Sequence, residues 1–124
     1  MTEDSRRRLG ALGEQLAADH LVARGYRVLE RNFRTRYGEL DLVALEGRFL
    51  VFCEVKTRLG APAPFAPLTS VGPRKRAQLR RMAGRWLHER GRGPGAPEAR
   101  FDVIGISLDR AGRLLSLDHV ENAF

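Results

Sequence analysis

The chain has 124 residues, 43% hydrophobic and 30% charged, a balance that suits one domain with its own core, residues 1–124, and is too short for two. No apolar run approaches the roughly 18 residues that cross a bilayer, and the basic start "MTEDSRRRLGALGEQ" lacks the apolar stretch of a secretory signal, so a cytoplasmic protein with no membrane partner is expected. A net charge of +7 is the footprint of a chain that meets phosphates, although an acidic protein or lipid would also fit, and the single cysteine, Cys53, excludes an internal disulfide framework and a thiolate-rich zinc site.

From Leu9 to Arg24 the spacing predicts a helix, with Leu9, Leu12, Leu16, His20 and Ala23 on one stripe, Ala17 and Leu21 widening it, and Gly25 closing it. Glu14 falls at the rim of that stripe. Tyr26 to Phe33 alternates as a first strand, and "RTRYG" follows as a turn. Two apolar runs, Glu39 to Leu45 and Phe49 to Lys56, are separated by "EGR" and read as an antiparallel hairpin. "LGAPAPFAPLTSVG" then reads as a long loop. Pro73 to Arg90 is a second helix with Leu79, Met82, Ala83, Trp86 and Leu87 inward and Arg74, Lys75, Arg76, Arg80, Arg81 and Arg85 on its other faces. After the connection "GRGPGAPEA", the runs "RFDVIGISL" and "RLLSLDHV" form another hairpin across "DRAG". The expected fold is α/β, a mixed central sheet flanked by helices, in the order α-β-β-β-α-β-β.

The first hairpin carries charge in an apolar setting. Glu54 and Lys56 share one face of their strand, as do Glu39 and Asp41 on the strand before. With an even number of loop residues, odd positions before the turn face even positions after it, so Asp41, Glu54 and Lys56 converge with Glu39 beside them. Twenty of the basic residues are Arg, and only Lys56 and Lys75 are Lys. A Lys there marks a place where a permanently charged Arg does not serve. Two carboxylates and an ammonium on one face suit a divalent-metal phosphodiesterase using Mg²⁺ or Mn²⁺. The bland alternative is a solvated Glu-x-Lys strand face. Against it, "LDLVAL" and "LVFCEV" are apolar on both faces, and charge there is costly unless paired or metal-bound. Glu39 has three readings: a ligand, an orienter of the ligands, or the polar start of a strand.

The ordered segments "LGxxGExxAxxxLxxxGYxVLxRNxR", "GELDLVA", "LVFCEVKTR", "VGPRKRAQLRR", "RFDVIGI" and "ENAF" resemble the YraN-like family of uncharacterised bacterial proteins over nearly the whole chain. That family is grouped with the PD-(D/E)xK nucleases of restriction-endonuclease-like fold and is similar in motif order to Holliday-junction resolvases. The resemblance implies Asp41, Glu54 and Lys56 as the catalytic residues, Asp41 and Glu54 as metal ligands with Glu14 as an auxiliary ligand, and Lys56 as the catalytic lysine. The chain departs from the pattern at Leu40, where a Pro is usual. Gln78 matches RecB-like members, but Met82 stands where their Tyr would be.

Arg74, Lys75, Arg81 and Arg85 are candidates to track a phosphate backbone, against a bland reading as a solvated helix face. Arg6, Arg7 and Arg8 read as an arm over nucleic acid or a frayed start. Asp102 either stabilises the core from a strand end, the favoured reading, or approaches the site from a neighbouring strand. His20, His88 and His119 share no metal-ligand spacing. The expected function is a metal-dependent endonuclease on DNA rather than RNA, on branched or damaged substrates, as a possible homodimer. The alternatives are a non-catalytic nucleic-acid-binding module of the same fold, and an adaptor whose contact surface is the loop 59–70.

Overall fold

Helix α1 spans Glu3–Ala23 in the computed structural model, which describes residues 2–60, 71–91 and 97–124. It starts well before Leu9 because Thr2 caps it: the Thr2 hydroxyl accepts the Ser5 backbone N–H at 3.0 Å. Glu3 and Asp4 then place negative charge at the positive end of the helix dipole. Arg6, Arg7 and Arg8 are therefore exposed helical residues, neither an arm nor a frayed start.

The buried face of α1 also differs from the leucine stripe. Gly13, Ala17, Ala18 and Leu21 face the core, whereas Leu12 and Ala23 are exposed and Leu9 and Leu16 pack at its margin. The reason is close approach, since a Cβ at Gly13 would overlap Thr57. Small residues let the helix backbone settle on the sheet, and the bulkier leucines are rotated to the sides.

The strands are β1 (Arg27–Thr35), β2 (Gly38–Glu46), β3 (Phe49–Leu59), β4 (Glu98–Leu108) and β5 (Leu114–Val120), with helix α2 (Pro73–Arg90) between β3 and β4. The five-stranded sheet runs β1-β2-β3-β4-β5. All neighbours are antiparallel except β3 and β4, whose parallel pairing needs a crossover, and α2 supplies it. The expected order and the mixed sheet are both found. β1 and β3 run further than the periodicity indicated, to Thr35 and Leu59.

Each face of the sheet carries one helix. On one side Leu42, Ala44, Val51, Cys53, Val55, Ile104 and Ile106 pack with Ala17, Ala18 and Leu21. On the other, Phe33, Leu40, Val43, Phe52 and Val103 pack with Leu79, Met82, Ala83 and Trp86, as the α2 stripe predicts. Cys53 is buried, which pushes its thiol well above the usual range.

Asp102 belongs to the core. Its fully buried carboxylate accepts from Arg100 at 2.9 Å and from the Asn122 N–H at 3.0 Å, and bonds His119 Nε2 at 2.8 Å. Arg100 also donates to Tyr26 and Glu46, and His119 Nδ1 lies 3.0 Å from His20 Nε2. Burial alone would raise the Asp102 carboxyl, but His119, Arg100 and the Asn122 N–H outweigh it and hold it below the usual carboxylate range.

Residues 61–70, and with them most of the loop considered as an adaptor surface, lie outside the described residues, as do residues 92–96 of the second connection. No described helix is long and apolar enough to cross a membrane.

Candidate metal centre and basic helix face

β2 and β3 pair from Glu46↔Phe49 to Leu42↔Cys53 around the two-residue turn Gly47-Arg48. This is the even-loop register, in which Asp41 and Glu54 come next. At that point the strands part: β2 stays with β1 as far as Thr35↔Gly38, while β3 runs on beside β4 to Leu59↔Leu108. Asp41 sits in the fork. Its Oδ2 accepts the Val55 backbone N–H at 2.8 Å, replacing the ladder partner that β2 no longer offers.

The register holds and Asp41 reaches Glu54 as alternation predicts, but Asp41 does not stay on that one face. Leu42 packs towards α1, whereas Leu40 and Val43 both pack towards α2, so the pleat slips between them. Across the pair, Asn32 takes a left-handed conformation, φ 53°, between the rungs Arg31↔Leu42 and Phe33↔Leu40. Freed from strict alternation, Asp41 meets residues on both sides of the sheet.

On the α1 side it meets Glu14 and Glu39. Among the described residues these three form an acidic group in which one carboxylate oxygen from each lies within 4.8 Å of the other two. The Asn32 amide, turned with its NH₂ towards them, is 3.0 Å from each Glu14 oxygen and 2.6 Å from Glu39 Oε1. Arg34 lies 3.4 Å from Glu39. A cleft of about 270 Å³ opens here between Arg6, Glu14, Asp41 and Thr57.

On the α2 side stands Glu54, which the oxygen triangle does not include. Burial first, then the charge of Glu54, push the Asp41 carboxyl up to about 8. Burial and then Glu39 also raise Glu14. Glu54 is 6% exposed, and among the described residues its Oε2 has no hydrogen-bond partner, while Lys75 Nζ lies 3.6 Å from it. The strand pleat sets half-buried Lys56 on the same side as Glu54. The only two lysines of the chain thus flank one buried carboxylate.

Along α2, Arg74, Gln78, Arg81, Arg85 and His88 follow helical spacing down one side. Arg74, Lys75, Gln78 and Arg81 line a cleft of about 550 Å³ at the helix start. Arg76 and Arg80 have other duties, on the Val71 carbonyl and over the Phe124 ring. Arg74, Arg81 and Arg85 make no ion pair among the described residues.

Residues 13–106 match the family described as "Uncharacterised protein family UPF0102". The chain belongs to UPF0102. It is 45% identical over 121 residues to a UPF0102 protein of Pelotomaculum thermopropionicum, covering 98% of each chain. It is 48% identical over 117 residues to one of a Parafrankia species, covering 94% of this chain and 96% of that one. A UPF0102 protein of Moorella thermoacetica is 43% identical over 120 residues, covering 97% and 98%.

Three features of this UPF0102 chain escaped the sequence reading. Asn32 bridges Glu14 and Glu39; its signal was a left-hand-tolerant residue interrupting the strand pattern in "ERNFR". Lys75, read as a phosphate contact, is turned to Glu54, a pairing across elements that no spacing reveals. Gln78 Nε2 donates to the Tyr37 carbonyl at 2.6 Å and ties α2 to the β1–β2 turn.

Proposed function

We propose that the chain is a Mg²⁺- or Mn²⁺-dependent endonuclease that hydrolyses DNA phosphodiester bonds, with branched or damaged DNA as its substrate class. The observation that carries this reading is the triangle of Glu14, Glu39 and Asp41 oxygens at a strand fork, bordered by Glu54 and the two lysines. The donor set fits a hard divalent cation, which takes carboxylate oxygens and completes its shell with water and phosphate. Two further facts fit it: burial first, and then neighbouring carboxylates, raise Asp41 and Glu14, a cost that a cation would relieve, and Glu54 Oε2 has no hydrogen-bond partner among the described residues.

Glu14, Glu39 and Asp41 would hold the ion, with Glu54 at its border. When bound, the ion supplies an acidified water and neutralises charge on the scissile phosphate. Asn32 fixes the Glu14 and Glu39 carboxylates, and Lys75 places an ammonium 3.6 Å from Glu54 Oε2. Lys56 Nζ orients the attacking water or holds a proton beside the developing charge. Arg74, Arg81 and Arg85 bind phosphates, so the protein reads backbone and shape rather than base sequence. A homodimer would bring two such sites to opposite strands, and the cytoplasm is the compartment this reading implies.

The test is cleavage of labelled duplex, single-stranded, flap and four-way-junction DNA with Mg²⁺ or Mn²⁺, comparing wild type with Asp41→Asn and Lys56→Ala. Metal-dependent cutting lost in both variants is expected. No cutting, with salt-sensitive binding unchanged in both, would reduce the protein to a binding module.

A further inference from the structure

We propose that the cleft between α2 and the β1–β2 turn binds an unpaired nucleobase, which makes the protein prefer DNA with single-stranded segments; the inference rests on the nucleic-acid reading above and deepens it. The cleft has a volume of about 440 Å³ and is lined by Tyr37, Arg81, Met82, Gly84, Arg85 and His88. That volume lies in the range of roughly 300–1,000 Å³ that takes small ligands. Among the described residues the lining holds an aromatic ring, a thioether, two guanidiniums and an imidazole, and no acid. Such chemistry suits a planar ring attached to an anionic backbone: bases stack on aromatic faces, and arginines take the adjoining phosphates.

Tyr37 is 52% exposed, yet its backbone is fixed. Gln78 holds its carbonyl, and Gly38 beside it, at φ 146°, is pressed so closely on Gln78 that a Cβ there would overlap the amide. Arg36, which does not line the cleft, lies over the ring at 4.9 Å and donates to its hydroxyl at 2.6 Å. The ring is thus held in place as a stacking platform.

Gly84 supplies a second, independent observation. A glycine inside a helix is less favourable than alanine. Packing does not require it, because a Cβ there would meet nothing within 4 Å. What a side chain at Gly84 would do is enter the cleft.

The cleft also lies along the same helix as the contact with Glu54. Arg81 is shared between it and the cleft at the start of α2, where Lys75 meets Glu54. From Lys75 to Gly84 the helix rises about 14 Å, the length of roughly four stacked nucleotide steps. A strand entering at the fork would reach the Tyr37 ring a few nucleotides later.

The experiment measures binding of fluorescently labelled blunt duplex and of the same duplex with a single-stranded overhang, in EDTA so that no cleavage occurs. Wild type is expected to prefer the overhang. Tyr37→Ala should weaken overhang binding about tenfold while leaving blunt duplex within about twofold, and Tyr37→Phe should retain the preference. Gly84→Leu should fill the cleft and reproduce the Tyr37→Ala result without touching the ring. A preference that survives both Tyr37→Ala and Gly84→Leu, or an equal loss on both DNAs, overturns the proposal. Loss of the preference in these variants, in a protein that cuts nothing with Mn²⁺, would sustain the base site and overturn the nuclease reading. Absence of DNA binding by wild type would overturn both.

Discussion

Replacing Asp41 by Asn should make the metal-free protein more stable. The amide keeps an oxygen to accept the Val55 N–H, 2.8 Å away in the wild type, and changes the shape little, so what is removed is charge. That charge is unfavourable: burial and Glu54 raise the carboxyl from 3.8 to about 8. A carboxyl raised in the folded state costs nothing below its unfolded value. The cost then grows as pH climbs from about 4 towards 8, where the unfolded chain is ionised and the folded one still holds its proton, and it levels off above that. At about 1.4 kcal/mol per pKa unit the full displacement bounds the cost at roughly 6 kcal/mol. Asp41 borders an open cleft, and solvent screening there brings the expected gain to about 1–3 kcal/mol at pH 8. Urea denaturation in EDTA at pH 5 and pH 8 measures it. The midpoint of the variant should exceed that of wild type at pH 8 and by clearly less at pH 5, and Mn²⁺ should stabilise wild type more than the variant. A variant less stable than wild type at pH 8, or an equal gain at both pH values, would refute the electrostatic account of the fork.

Gly13→Val should destabilise by about 1–3 kcal/mol, since a Cβ there overlaps Thr57 and the helix must lift from β3; thermal unfolding reads the loss, and an unchanged Tm would mean the contact is not tight. Asp102 has its carboxyl lowered in the fold, so its stabilisation is present above its unfolded value and is lost as pH falls through and below about 4. Asp102→Asn should therefore lower stability at pH 7 by about 3 kcal/mol and flatten the acid limb of a urea-midpoint profile; a parallel shift of the whole profile would contradict this. Lys75→Ala should remove the ammonium 3.6 Å from buried Glu54 and reduce metal-dependent cleavage about tenfold or more, whereas Arg85→Ala should weaken DNA binding with a shallower salt dependence. Equal effects of the two on binding in EDTA would show that Lys75 is merely another phosphate contact.

The sequence by itself determined the order of elements, because apolar periodicity changes from the helical to the strand repeat at Gly and Pro boundaries, and those signals are local. It also set the condition for the hairpin register, an even loop that brings Asp41 level with Glu54, and the structure supplies that loop as the two-residue turn Gly47-Arg48. Only the tertiary structure decided which carboxylates meet. Asp41 leaves the pleat because β2 and β3 diverge after Leu42, a consequence of β1 and β4 claiming them on opposite sides. Glu39 joins Glu14 through Asn32, on an element that no strand pattern ties to α1. The helix face was misread for a similar reason: leucines mark apolarity, but how closely a helix settles depends on the smallest residue at the contact, here Gly13 against Thr57. Local periodicity is written in one stretch of chain, whereas close approach and charge convergence are properties of pairs of stretches that meet only after folding.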